Sequence, residues 1–342
     1  MIRRPTVVSA LLALAVALPL SACGSAVGGG PSDDELVIYS GRNKELVGPL
    51  LEDYAKETGE KIFVRYGDTA ELAAQLLEEG DRTKADVFFA QDAGALGAMA
   101  KAGAFAKLPA TTLDQVDPRF RAADGRWVGV SGRARVIAYD PQQVPEAEVP
   151  DSVLDLTDPR WKGEVGFAPT NASFQAFVTA MRQLEGEDAT RRWLEDMKAN
   201  EMKAFSDNIR VLEAVDRGEV QLGLINHYYW YEKVAEEGQE QVDARISFVG
   251  GGDPGALVNV AGAGILATTD QDEGAQDFVH FLLSRRAQQY FADTTEEYPL
   301  VEGVSPDEGV PPLASLGAPQ IDLSDLDSLQ QTLALLEEVG LV

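Results

Sequence analysis

Short apolar runs alternate with amphipathic stretches from residue 36 onward, and this alternation does most to restrict the fold. Leu36-Val37-Ile38-Tyr39 reads as a strand. After it, Leu46, Val47, Leu50, Leu51 and Tyr54 recur at helical spacing from about Lys44, with Gly59 as the expected stop. Residues 62–66 and 87–90 repeat the strand pattern; 70–79, ended by Gly80, and 93–100 repeat the helical one. Such a βαβαβα run predicts an α/β fold with covered sheets, whose ligands sit beyond the carboxyl ends of the strands. The loops 40–43, 67–69 and 91–92 are therefore expected to line a cleft.

A further α/β stretch is expected from about Arg135 to Tyr139. It continues through strands at 165–168 and 222–225 and helices near 174–184, 189–199 and 208–217. The apolar, glycine-rich run 257–266 is expected to return to the first half, followed by helices at 272–283 and about 326–338. The chain is long enough for two compact lobes. More than one crossing strand between them would make a hinge able to close on a ligand. The expected boundaries are 35–134 plus about 259–309 for the first lobe, and about 135–258 plus 310–342 for the second.

The N-terminus addresses location. Arg3 and Arg4 precede an almost unbroken apolar run from Val7 to Leu20, closed by Leu20-Ser21-Ala22-Cys23. A basic start, a short apolar core and small residues before a cut mark a secretory signal peptide, here 1–22. The run is short for a bilayer span. The four-residue box resembles the bacterial lipoprotein signal, which implies lipidation of Cys23 and anchoring of the exported protein to the cell membrane. Cys23 is the single cysteine, so the body has neither a disulfide nor a thiolate site. Residues 23–34 read as a flexible tether rich in Gly and Ser. The net charge of −27 argues against nucleic acid and anionic lipid as partners, and does not oppose a cationic ligand.

The most unusual segment is Ile225-Asn226-His227-Tyr228-Tyr229-Trp230-Tyr231-Glu232. Adjacent tyrosines at a strand end are ordinarily packing residues. As phenolates, though, two of them would offer hard anionic oxygens suited to Fe³⁺. Free phenol titrates near ~10, so the metal would have to displace the protons.

With this segment in view, the chain resembles the periplasmic ferric-ion-binding proteins of ABC iron importers, across nearly the whole body. The resemblance rests on seven landmarks in order: Ile38-Tyr39-Ser40-Gly41-Arg42, Ala85-Asp86-Val87-Phe88-Phe89, Ser131-Gly132-Arg133-Ala134-Arg135-Val136, Trp161-Lys162-Gly163, Ile225 to Tyr231, Asp253-Pro254-Gly255-Ala256-Leu257 and Glu297-Tyr298-Pro299-Leu300. It implies a transferrin-like, two-lobed periplasmic-binding-protein fold of type II-like form with an interlobe cleft. It also implies Fe³⁺ as the bound ligand, Tyr228 and Tyr229 as metal ligands, and a monomer that delivers to an ABC permease and ATPase. Where one branch of the family has histidine and glutamate, this chain has Asn43 and Gln91, two neutral amides. Where another branch recruits tyrosines, it has Lys44 and Phe174. Two tyrosines cannot fill six positions around Fe³⁺, so a synergistic anion or chelator is expected. The family's anion pocket falls on Asn171, Ala172, Ser173, Asn208 and Asn226. Asn171 and Ser173 suit either an anion site at a helix start or ordinary capping. Arg42, Arg133 and Arg135 would either stabilise phenolates or an anion, or serve as surface salt-bridge partners.

Two rival readings remain. One is a binding protein for an anionic solute, such as a phosphorylated metabolite, without iron. The other, a surface hydrolase, is weak: the chain has no Gly-x-Ser-x-Gly elbow, His-Glu-x-x-His pair or Walker loop, and only two histidines, His227 and His280.

Overall fold

Strand β1 (Leu36–Ser40) is buried at all five positions, the pattern of an inner parallel strand. The computed structural model describes residues 31, 32 and 34–342; the leader over 1–22, Cys23 and most of the tether over 23–34 lie outside the described residues. Helix α1 (Lys44–Thr58) follows β1, opened by the Asn43 side chain accepting from the Glu45 N–H and closed by Gly59 at φ 75°. A left-handed residue at that position ends a helix cheaply only when it lacks a Cβ. The helix buries Val47, Leu50, Leu51 and Tyr54, and side chains of this size contribute about 1.5–3 kcal/mol each on full burial. Strand β2 (Ile62–Tyr66), α2 (Thr69–Glu79), β3 (Val87–Ala90) and α3 (Ala93–Lys101) repeat the unit. A single helical turn, α4 (Ala110–Leu113), then leads toward β4 (Val128–Tyr139).

Strand β4 organises the molecule. The sequence pattern places a new stretch from about Arg135, but the strand is continuous over twelve residues, all buried. Its first part, to Ala134, pairs with β9 (Val258–Ile265), and its remainder, from Arg135, pairs with β7 (Leu222–Asn226). Ser131, Gly132, Arg133 and Arg135 break the apolar pattern, which hides the strand from a hydrophobicity reading.

The second half comprises β5 (Val165–Phe167), α5 (Ala172–Glu185), α6 (Glu187–Ala199), β6 (Lys203–Ala204), α7 (Asn208–Asp216), α8 (His227–Glu237) and β8 (Arg245–Ser247). The chain returns through β9 to α9 (Asp272–Leu282), α10 (Arg285–Thr294) and β10 (Tyr298–Pro299), and ends in α11 (Leu329–Val339). The strand order is β2-β1-β3-β9-β4-β7-β5-β6, with β10 and β8 also paired to β4. One core surrounds Phe88, Phe89, Trp127 and Phe278; another surrounds Phe167, Phe174, Phe177 and Trp193. The architecture is α/β and two-lobed. The tail contributes to both cores. Leu323–Asp327 rests on α3, where a Cβ on Gly94 would stand 2.6 Å from the Leu326 carbonyl oxygen, whereas α11 packs Leu335, Leu336 and Val339 into the second core. Among the described residues, no helix is long and apolar enough to cross a membrane.

Candidate ligand-binding cleft

A cleft with a volume of about 90 Å³ lies between the two halves of the sheet system. All three loops expected from the strand ends contribute: Gly41 after β1, Asp68 and Thr69 at the start of α2, and Gln91 and Asp92 after β3. Arg133 and Arg135 of β4, Ala172 and Ser173 at the start of α5, and Asn226 at the end of β7 face them. Ser131, Arg133 and Arg135 share one face of β4 because side chains alternate along a strand.

The arginines are not surface residues; Arg42, Arg133 and Arg135 are only 3%, 6% and 2% exposed. Arg42 grips Glu297 with two nitrogens, at 3.0 and 2.7 Å, in a fork-to-carboxylate arrangement. Glu297 also accepts from Ser131 at 3.0 Å and Thr295 at 3.1 Å, with Arg133 Nε 3.7 Å away. Although burial opposes its charge, the arginines hold the Glu297 carboxyl below its usual range. Arg133 also donates to the Gln91 carbonyl. Arg135 differs. Among the described residues its Nη1 reaches only the Asn226 amide oxygen, at 3.4 Å, and its Nε and Nη2 have no partner; its guanidinium lies 5.8 and 5.0 Å from the Phe174 and Phe177 ring centres. Burial pushes its pKa down to about 9, so it remains charged at neutral pH.

The tyrosine pair sits on the first turn of α8, immediately after β7, rather than in the strand itself. The rings are 4.2 Å apart, with Tyr228 buried and Tyr229 partly exposed. Neither lines the cleft wall directly, but the charges of Arg42 and Arg135 act on both, and that of Arg133 on Tyr228. Burial, and then the neighbouring Tyr229, push the Tyr228 phenol well above its ordinary value. His227 points elsewhere. It is fully buried, stacked 4.7 Å from Tyr298, and its Nδ1 accepts the Ala134 N–H at 3.2 Å. Burial pushes it down to about 4, so it is neutral and anchors the start of α8 to the crossing strand. His280 is exposed on α9, beside Gln115.

Of the remaining candidates, Gln91, Ala172, Ser173 and Asn226 line the cleft. Asn43 does not; it is exposed and caps α1. Asn171 lies just behind the wall, its amide oxygen accepting from the Ser173 N–H and hydroxyl at 2.9 and 2.7 Å and from Asn208 at 3.1 Å. Capping therefore occupies part of the α5 start, while the fully buried Asn208 keeps an amide oxygen without a partner among the described residues. Among the described residues, no group of three or more His, Cys, Asp or Glu is placed to hold a metal. The sequence reading did not pair Arg42 with Glu297, since the two stand 255 positions apart; the presence of both in landmark segments was the available signal.

The profile of the bacterial extracellular solute-binding protein family matches residues 82–319. The Fe(3+)-binding periplasmic protein of Serratia marcescens is 36% identical over 91% of this chain and 92% of its own length. Iron-bound HitA from Pseudomonas aeruginosa superposes with a TM-score of 0.83 at 36% identity, covering 90% of this chain and 99% of HitA. A Trichodesmium protein, IdiA or FutA, in complex with iron and citrate gives 0.79 at 26% identity, covering 90% and 99%. A buried, partly unsatisfied cleft between two lobes and these matches agree: the chain belongs to the bacterial extracellular solute-binding protein family.

Proposed function

We propose that this protein captures ferric iron outside the cytoplasm, together with a small anion or chelator, and delivers it to the permease and ATPase of an ABC importer. Tyr228 and Tyr229 bind the ion as phenolates, and Cys23 carries the lipid that holds the protein at the membrane. The lobes are taken as 35–134 with 259–309 and as 135–258, with the tail serving both.

One observation carries this reading: two adjacent phenols, bonded to each other and, among the described residues, to no carboxylate or backbone carbonyl, lie under the influence of buried arginines beside a cleft. Two other phenols are tied to backbone carbonyls, Tyr231 to that of Gly309 and Tyr290 to that of Leu46. Relatives and structural neighbours that bind ferric iron support the choice of ion. Of the expected first-lobe contacts, Gln91 stands at the cleft and Asn43 away from it. The anion belongs beside Arg135, Ala172, Ser173 and Asn226, where a cation and a helix start converge. Since the metal must displace the phenol protons, and burial holds that of Tyr228 above its normal range, iron is retained less well as pH falls. The resident role is binding rather than turnover.

Titrating the protein with ferric citrate should produce a visible phenolate-to-iron absorption band. A folded protein that develops no band would overturn the iron assignment and leave the anionic-solute reading in its place.

A further inference from the structure

We propose that the C-terminal tail is a strap across the hinge, which limits how far the two lobes open and so helps retain the bound ion. The restraint on opening stands without the iron reading; its effect on retention rests on that reading.

The hinge is narrow. Strand β4 changes partners between Ala134 and Arg135, and the Arg135 N–H donates to the Leu257 carbonyl at 3.0 Å, just before β9 begins. On the second-lobe side, Asp253 fixes the approach to β9 by accepting from the Val153 and Gly255 N–H groups at 3.3 and 2.7 Å. The tail passes this point. The Gly317 carbonyl accepts from the Gly252 N–H at 2.9 Å, and Ala318, Pro319, Ile321 and Leu323 enclose a small cavity with Leu257 and Val258.

Beyond the hinge the tail is anchored twice. Leu323 and Leu326 are buried in the first core, and the backbone lies so close on α3 that a Cβ on Gly97 would stand 2.3 Å from the Ser324 carbonyl oxygen. Lys101 of α3 adds contacts to Asp325 and Asp327 at 3.1 and 3.0 Å, but pairs this exposed contribute little. The second anchor starts at once. The buried Arg182 of α5 donates to the Ser328 carbonyl and hydroxyl at 3.0 and 3.1 Å and to the Thr332 hydroxyl at 2.8 Å, and α11 then enters the second core. Asp327 and Leu329 are two positions apart, so their Cα atoms separate by at most about 7 Å.

That lack of slack matters because of where the anchors sit. Helix α3 begins at the cleft after Gln91 and Asp92, and α5 begins there with Ala172 and Ser173. The tail therefore ties together the two helices that must part when the cleft opens. Along this edge they cannot part unless one anchor lets go, and each anchor buries leucines in a core. The freedom left is rotation about this edge by the hinge strands. A protein held near its binding arrangement loses less apparent affinity to open states.

Inserting Gly-Ser-Gly-Ser between Asp327 and Ser328 adds about 13 Å of reach and interrupts neither anchor. In solution scattering, the iron-free variant should have a larger radius of gyration than the iron-free wild type, at an unchanged urea midpoint. With ferric citrate both should reach the same radius, and the variant should hold iron about tenfold more weakly. An unchanged iron-free radius in the folded variant would overturn the proposal, and so would wild-type affinity. Amide exchange of the iron-free wild type needs no variant. Residues 323–327 and α11 should be protected alike, whereas free exchange over 323–327 would show the first anchor released and overturn the strap. A wild type that never develops the iron band defeats the iron reading; the radius and the exchange then still decide the restraint.

Discussion

Arg42 and Arg135 are both almost fully buried, one after the first strand and the other on the crossing strand, yet their surroundings differ in kind. Arg42 has a two-pronged carboxylate partner in Glu297, which is further held by Ser131 and Thr295. Arg135 has one long contact to an amide and, among the described residues, two nitrogens without a partner above a pair of phenylalanines. Burying a charge is tolerable when its partners are supplied and costly when they are not. The charge-paired network fastens β10 to β4 and to the loop after β1, although the Nε of Arg42 and of Arg133 make no hydrogen bond among the described residues, so it serves as scaffold. The unsatisfied group faces the cleft, so its partner is expected to arrive from outside.

The largest expected effect lies on the open side. Tyr228→Phe combined with Tyr229→Phe should weaken ferric binding by roughly ten-thousand-fold, about 5.5 kcal/mol, in a competition titration. The iron-free melting temperature should barely move, because Phe conserves most of the packing. Retained affinity would remove the tyrosines from the site. Next comes the closed side. Glu297→Gln leaves Arg42 buried without its counter-charge and should cost about 3–5 kcal/mol of folding stability, read by urea denaturation. A loss below ~1 kcal/mol would erase the distinction between the two arginines. The smallest effect sharpens it: Arg135→Met should leave urea stability unchanged or higher. The variant should lose the gain in iron affinity that phosphate gives the wild type, about 1.5–3 kcal/mol for a charge-assisted contact. Destabilisation with an intact phosphate effect would make Arg135 another scaffold residue.

The legibility of these regions in the sequence follows the same division. Periodicity located α1, α2, β1 and β3 because each has a continuous apolar face and a glycine or polar stop. The cleft loops followed from strand order alone. The tyrosine pair was visible because adjacent phenols are locally unusual, though α8 starts one residue after β7 and places both on a helix. Strand β4 was only half visible, since its buried Arg133 and Ser131 read as surface when their partner, Glu297, is unknown. Nothing local in the sequence marks such a long-range pair. Asn43 shows the reverse difficulty. Its place after the first strand suggested a ligand, but an Asn two residues before Glu45 is also a capping signal, and the backbone at the start of α1 takes its side chain. The tail divides between cores because Gly94 and Gly97 admit backbone against α3, a steric fact that hydrophobicity does not encode.

The central claim is that the open side of the cleft is completed by iron together with an outside anion. Its most direct test is a ferric titration of the wild type in buffer stripped of carbonate, phosphate and citrate, followed by addition of phosphate, with the phenolate-to-iron band recorded throughout. The account predicts a weak or incomplete band with iron alone, and a shifted, fully developed band once the anion is present. A complete band in anion-free buffer that phosphate does not alter, or no band under either condition in a folded protein, would contradict it.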